Sequence, residues 1–309
     1  LAQDGFINTL ESNLPSCPFP IRYTSLTALQ AQYRNHWLHL RGILLGTLIN
    51  EVSTKIQNPE HRIQKELTPT LSASLRPLSD IPLYLRLMYK HTFRMPTFND
   101  LYYFRSGNKD LRPERAREYN LGLTWQAPQW GALTSLTLTA DGYFNNVTDK
   151  IVAFPTTYVW KMANYGRVHI TGLDATLDAK MRLSHHIGLN LGASYTLQHA
   201  IDVTNPGDQS YGIQLPYTPL HSGSTRLLLS TPWGNVGYST IWSGQRYSMS
   251  DLSPRYMEHT LSFSHTFTTR HTLLTARAEA INLTNAQYQV IQYYPMPGRQ
   301  FRLSFTVKI

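Results

Sequence analysis

The chain has 309 residues, only 15% of them charged, with 19 Tyr, 6 Trp and a formal net charge of +9. No apolar run reaches about 18 residues, which excludes a transmembrane helix, and a single cysteine, Cys17, excludes an internal disulfide and a cysteine zinc site. The basic residues are scattered and never form the short Lys/Arg-rich run of a nucleic-acid footprint, so no nucleic-acid partner is expected. Lipopolysaccharide phosphates answer the same positive charge.

Residues 1–20 lack a basic stretch leading into an apolar segment, and they precede a strand, 21–34, that runs inward if the long connections are external. They are expected to be the remnant of an external loop, with any secretory signal already gone. From residue 21 onward, period-two alternation dominates. In 67–76, Leu67, Leu71, Ala73 and Leu75 oppose Thr68, Thr70, Ser72 and Ser74. In 81–92, Leu83, Leu85, Leu87 and Tyr89 oppose Tyr84, Arg86, Met88 and Lys90. In 114–126, Tyr119, Leu121, Leu123 and Trp125 oppose Glu118, Asn120, Gly122 and Thr124. In 165–182 the apolar phase changes, from Val168 and Ile170 to Leu173, Ala175 and Leu177, which predicts a β-bulge near Thr171–Gly172. The clearest segment is 186–198, where Leu189, Leu191, Ala193 and Tyr195 oppose Asn190, Gly192, Ser194 and Thr196.

About thirteen strands follow: 21–34, 36–49, 67–76, 81–92, 114–126, 133–146, 166–182, 186–199, 217–230, 235–247, 255–267, 272–283 and 299–309. Most are about 10–14 residues, close to the length that crosses a bilayer obliquely. Their connections alternate. Short ones fall at 34–35, 77–80, 127–132, 183–185, 231–234 and 268–271, and long ones at 50–66, 93–113, 147–165, 200–216, 248–254 and 284–298. A transmembrane barrel sorts its turns this way, and a soluble sandwich has no reason to. The polar face is built from Gly, Ser, Thr and Asn rather than the Lys/Glu mixture of a solvated sheet. The expectation is therefore an all-β, antiparallel up-and-down transmembrane barrel in a bacterial outer membrane, carried by 21–309. With an even strand number required of a complete barrel, about thirteen strands beginning in an external loop predict a C-terminal part, with further strands upstream.

Four stretches carry a family resemblance. The first runs from Phe93-Arg94-Met95-Pro96 to Gly107-Asn108-Lys109-Asp110-Leu111-Arg112-Pro113-Glu114. The second is Tyr165-Gly166 through Gly172-Leu173-Asp174, the third Leu215-Pro216-Tyr217-Thr218-Pro219-Leu220-His221, and the fourth Asn282-Leu283 through Tyr288 and Pro297-Gly298-Arg299. In order and spacing they resemble the FRxP, GNxxLxPE, strand-opening and NL…GR signatures of TonB-dependent outer-membrane receptors. Asp174 stands where that family usually has Glu, and Ile309 where it usually ends in Phe.

Arg94 and Glu114 share lumen-facing parity on neighbouring strands and are expected to pair at the base of loop 93–113. Arg94, Pro96, Asn108, Leu111, Pro113, Glu114, Gly172, Asn282, Gly298 and Arg299 are expected to be scaffold. The resemblance implies a plugged barrel of 22 strands that takes up a scarce nutrient, driven by the periplasmic TonB complex through a plug region, and assembled by the barrel-assembly machinery among outer-membrane lipids. Tyr102, Tyr103, Arg105, Tyr158, Trp160, Tyr293 and Tyr294 are the candidate ligand contacts. Their rings have two readings, stacking on a ligand or standing in an aromatic girdle. A ferric siderophore or cobalamin ranks first. Haem ranks lower, because the family's haem receptors tend to carry a His between the first signatures and none lies between Phe93 and Leu111. An oligosaccharide ranks last. No catalytic motif is present, and no metal site or cofactor is expected, since His185-His186 reads as a solvated turn. A passive porin and, behind it, an outer-membrane barrel enzyme are the competing readings.

Overall fold

The computed structural model describes residues 1–13, 18–53, 61–155, 158–248, 251–270 and 272–308. Cys17 and Ile309 lie outside them. The first strands are β1 (Ala2–Thr9), β2 (Pro20–Arg34), β3 (Leu38–Ser53), β4 (His61–Leu75) and β5 (Leu83–Arg94). A short helix, α1 (Phe98–Tyr102), precedes β6 (Glu114–Ala127), β7 (Leu133–Pro155), β8 (Trp160–Arg182) and β9 (Gly188–Asp202). Then come β10 (His221–Thr231), β11 (Gly234–Ser243), β12 (Arg246–Tyr247), β13 (Leu252–Ser253), β14 (Tyr256–Thr268), β15 (Leu273–Ile281), β16 (Gln289–Ile291), β17 (Tyr294–Pro295) and β18 (Gln300–Lys308).

Fourteen of these strands form one sheet in the order β1 to β11, β14, β15, β18, and the other four make two small hairpins. Each strand pairs with the next strand of the sheet in antiparallel register, so the connections alternate between the two ends, short at one and long at the other except between β7 and β8, where only residues 156–159 separate the strands. All thirteen expected strands are present. Three expectations need correction. Ala2–Thr9 is a strand paired with β2 from Ala2↔Ala28 to Thr9↔Ile21, so only part of 1–20 is loop. The segment 147–165, expected as a loop, is mostly the continuation of β7 and β8, each 23 residues long. Strands of that length run about 75 Å at ~3.3 Å per residue, far more than the 9–11 residues a bilayer needs, so this hairpin projects beyond the membrane.

The third correction concerns the bulge near Gly172. Pairing of β8 with β9 is unbroken from Val168↔Asp202 to Arg182↔Gly188, and the β7–β8 register shifts only between Leu133 and Ser135. The apolar phase changes for another reason. Val168 and Ile170 sit on the lumen face, where Ala116, Val147, Val168 and Ala200 form a small core closed by Leu215 of the loop after β9.

The sheet is turned inside out relative to a soluble one. Cross-strand rows such as Leu87–Leu121–Gly142–Leu173–Leu197 align on one face, and most of the large side chains in this one stand exposed, Leu87 at 44%, Leu121 at 54% and Leu173 at 40%. So extensive an apolar patch marks contact with a membrane. The opposite face carries the polar bonds: Thr196 Oγ1 donates to Asp174 at 2.7 Å, and Ser194 meets Ser224 at 2.8 Å. Its ion pairs arch over glycines. Arg86 on β5 reaches Asp141 on β7 at 2.8 Å across Gly122, and Arg226 on β10 reaches Asp178 on β8 at 2.5 Å across Gly192. A Cβ at either glycine would strike the bridging side chains.

Gly172 has the same kind of role for an aromatic ring. The Tyr143 ring lies directly over it, and a Cβ there would stand 2.5 Å from the Leu197 carbonyl oxygen, a backbone atom that cannot step aside. Gly172→Ala is therefore expected to destabilise the wall by about 1–3 kcal/mol, read as a lower temperature for loss of heat-resistant mobility on gels. Gly142→Ala, whose added Cβ meets nothing closer than 3.9 Å, serves as the control.

Candidate functional site

The long-connection end is built from the β5–β6 loop outward. Above Thr70, Pro69 has no N–H to give the ladder, and β4 parts from β5, their pairing confined to Thr70–Leu75. Arg115 on β6 spans the gap to Glu66 on β4 at 3.0 Å.

The loop folds against this split. Thr97 and Asp100 form a capping box around α1: Asp100 N–H donates to Thr97 Oγ1 at 3.1 Å, and Thr97 N–H donates to Asp100 Oδ2 at 2.8 Å. Arg94 then bonds Asp100 at 3.1 Å and Glu114 at 3.5 Å, and Glu114 accepts the Ile151 N–H at 2.9 Å. One arginine thus joins β5, α1, β6 and β7.

Leu101, Leu111 and Ile151 are buried together beneath Tyr102 and Met162. Asn108 donates to the Met162 carbonyl at 3.1 Å and accepts from Asp110 N–H at 3.0 Å. Pro96 and Pro113 are buried where the loop leaves and rejoins the sheet.

On the other side α1 rests on a buried ion pair, Arg22–Glu51 at 2.6 Å, with side chains 10% and 6% exposed. The Arg22 guanidinium lies 4.7 Å from the Phe98 ring centre. The Tyr102 hydroxyl donates to Glu51 Oε1 at 3.2 Å, and burial together with the Glu51 charge pushes the phenol up to about 12. Tyr102 is thus committed to the scaffold, whereas its neighbours are free. Tyr103 is 64% exposed, and Arg105, in the left-handed region at φ 66, lies 5.0 Å from the Phe104 ring centre. The Met162 N–H donates to the Ser106 carbonyl at 2.9 Å, bringing this turn against the β7–β8 hairpin that carries Tyr158, 93% exposed, and half-buried Trp160.

Tyr293 and Tyr294 stand apart, exposed on the β16–β17 hairpin between β15 and β18. Asn282, fully buried at φ 51, organises that connection by donating to the Ala286 and Pro297 carbonyls at 2.9 and 3.2 Å. Asn285 Oδ1 accepts the Arg299 N–H at 2.9 Å and fills the space a Cβ on Gly298 would need. Arg246, 3% exposed and absent from the sequence expectations, donates to the Gln289, Val290 and Pro254 carbonyls. A lone loop arginine gives no signal of that role. A cavity of about 390 Å³ is lined by Tyr165, Asp202, Ser210, Gln214, Tyr247 and Asp251. Asp202 is occupied there, accepting from Thr204 and Ser210.

The family described as TonB dependent receptor-like, beta-barrel matches residues 41–306. Among solved structures, the copper transporter OprC superposes with a TM-score of 0.72 at 15% identity, covering 93% of this chain and 47% of that one. The ferric-catecholate import receptor Fiu from K12 E. coli gives 0.68 at 16% identity, covering 94% and 45%. The ferric citrate transporter FecA gives 0.72 at 13% identity, covering 94% and 46%. At such identities the likeness shows the fold, and the chain spans about half the length of these structures.

Proposed function

Because the chain belongs to the TonB-dependent receptor β-barrel family, an outer-membrane family, we propose that it supplies the wall and external capture loops of a receptor for an anionic ferric siderophore. The observation that carries this reading is the exposed Tyr103-Phe104-Arg105 turn, two aromatic faces and a guanidinium tied through Ser106 to the β7–β8 hairpin whose tip carries Tyr158. Aromatic faces stack on flat chelating rings, and a cation answers the net negative charge of a ferric complex. The formal charge of +9 favours the same class over cobalamin, which has no large negative charge to meet it. Loops lifted beyond the bilayer by the long β7–β8 hairpin are placed to meet a ligand before the lumen does. The TonB complex then acts on the plug region of the whole receptor.

The test is uptake of radiolabelled ferric siderophores and of cobalamin by cells carrying the full-length receptor as their sole route. Siderophore uptake that a protonophore abolishes, and that Arg105→Ala with Tyr103→Ala reduces about tenfold or more, supports the proposal. Uptake indifferent to the protonophore would establish a passive channel instead, and cobalamin uptake alone would replace the ligand class.

A further inference from the structure

Outside the loops, the outward face of β3–β8 carries three superposed features. Lowest is a groove of about 810 Å³, whose outward lining includes Leu71, Leu87, Leu121 and Phe144 around small Gly42 and Gly142. At its upper edge, and forming part of its lining, Tyr89, Tyr119 and Phe144 stand in one cross-strand row and pack ring to ring at 5.2 and 6.3 Å.

The next row is His91–Arg117–Asn146–His169, and the one above it includes Thr148–Arg167. Arg117 and Arg167 are exposed. Among the described residues neither guanidinium has a carboxylate partner, whereas nearby Arg115 is paired with Glu66 and Arg112 with Asp149. Between the two free cations, Asn146 Oδ1 is buried with no donor. Two strand spacings of ~4.8 Å and two residues of ~3.3 Å put their Cα atoms about 12 Å apart.

We propose that this surface binds one phosphorylated, acylated glycolipid of the outer leaflet, its phosphates on Arg117 and Arg167, an N–H or O–H of its sugar on Asn146, and an acyl chain in the groove. The charge sequence fixes the occupant. A zwitterionic lipid gives the unpaired arginines no net charge, and a soluble anion leaves the groove empty. The surface faces lipid, so the inference rests on the barrel reading and not on the nutrient taken up.

The probe is diphosphorylated lipid A added to the full-length receptor in detergent, with retained lipid counted by native mass spectrometry and folding checked by heat-modifiable mobility. Arg117→Gln with Arg167→Gln is expected to lower retention about tenfold or more, while Arg270→Gln, in the exposed turn at the opposite end, leaves it unchanged. Gly142→Leu fills the groove without touching a charge and is expected to lower retention as well. Its Cβ meets nothing closer than 3.9 Å, so the strand accommodates it. Undiminished retention in the double variant or in Gly142→Leu overturns the proposal. So does equal retention of dephosphorylated lipid A, or displacement by inorganic phosphate alone, which would reduce the surface to an anion site.

Discussion

Replacing Leu121 with arginine is expected to keep the receptor from assembling in the membrane. Leu121 is central on β6, 54% exposed, and flanked in its row by Leu87 and Gly142. A guanidinium there faces hydrocarbon and costs about 2–4 kcal/mol at the midplane, a large part of the few kcal/mol that separate a folded domain from its unfolded chain. Leu189 has the same parity but sits one residue into β9 at the short-turn end, where the cost falls toward about 0–1 kcal/mol. Thr124→Arg, on the other face of β6, serves as the control and is expected to assemble. Heat-modifiable mobility of the three variants separates these outcomes, and normal assembly of Leu121→Arg would refute the face assignment.

The second large effect is expected at Glu51. Removing it leaves Arg22 charged in a site where its side chain is only 10% exposed, and strips Tyr102 of its acceptor. Breaking one partner of a buried pair costs about 3–5 kcal/mol, more than the pair contributes when intact, because an uncompensated charge remains. Glu51→Ala should therefore release α1 and expose the 95–113 loop to proteolysis while the β7–β8 hairpin stays resistant. Arg22→Met with Glu51→Leu, which removes both charges, should restore most of that resistance. Equal protease sensitivity of wild type and Glu51→Ala would show that the loop does not depend on this support.

What the sequence made legible follows from period two. Side-chain alternation located all thirteen expected strands and their faces, because register and face are one property in a sheet. It went wrong where a face changed its contents without changing its geometry. Val168 and Ile170 are apolar on the lumen side because Leu215 covers them, and a local pattern read that as a bulge. Ala2–Thr9 escaped notice because its sequence, Ala-Gln-Asp-Gly-Phe-Ile-Asn-Thr, sets its two large apolar residues side by side and carries no sustained alternation. The FRxP and GNxxLxPE stretches pointed to the Arg94–Glu114 pair, which the structure forms at 3.5 Å, but the Thr97–Asp100 capping box and the helix it opens went unread. Arg22, Glu51 and Arg246 did not show themselves, because their partners lie 29 residues or more away in sequence for the first pair and are backbone carbonyls for the third.

The central claim is that the apolar face of this sheet meets lipid and the polar face meets the lumen. Spin labels placed one at a time at Glu118, Tyr119, Asn120, Leu121, Leu123, Thr124 and Trp125, in full-length receptor with Cys17 replaced by Ser and reconstituted in bilayers, test it most directly. Labels at Tyr119, Leu121, Leu123 and Trp125 should relax with dissolved oxygen, and those at Glu118, Asn120 and Thr124 with a water-soluble nickel chelate. The opposite phase, or no alternation along β6, would contradict it.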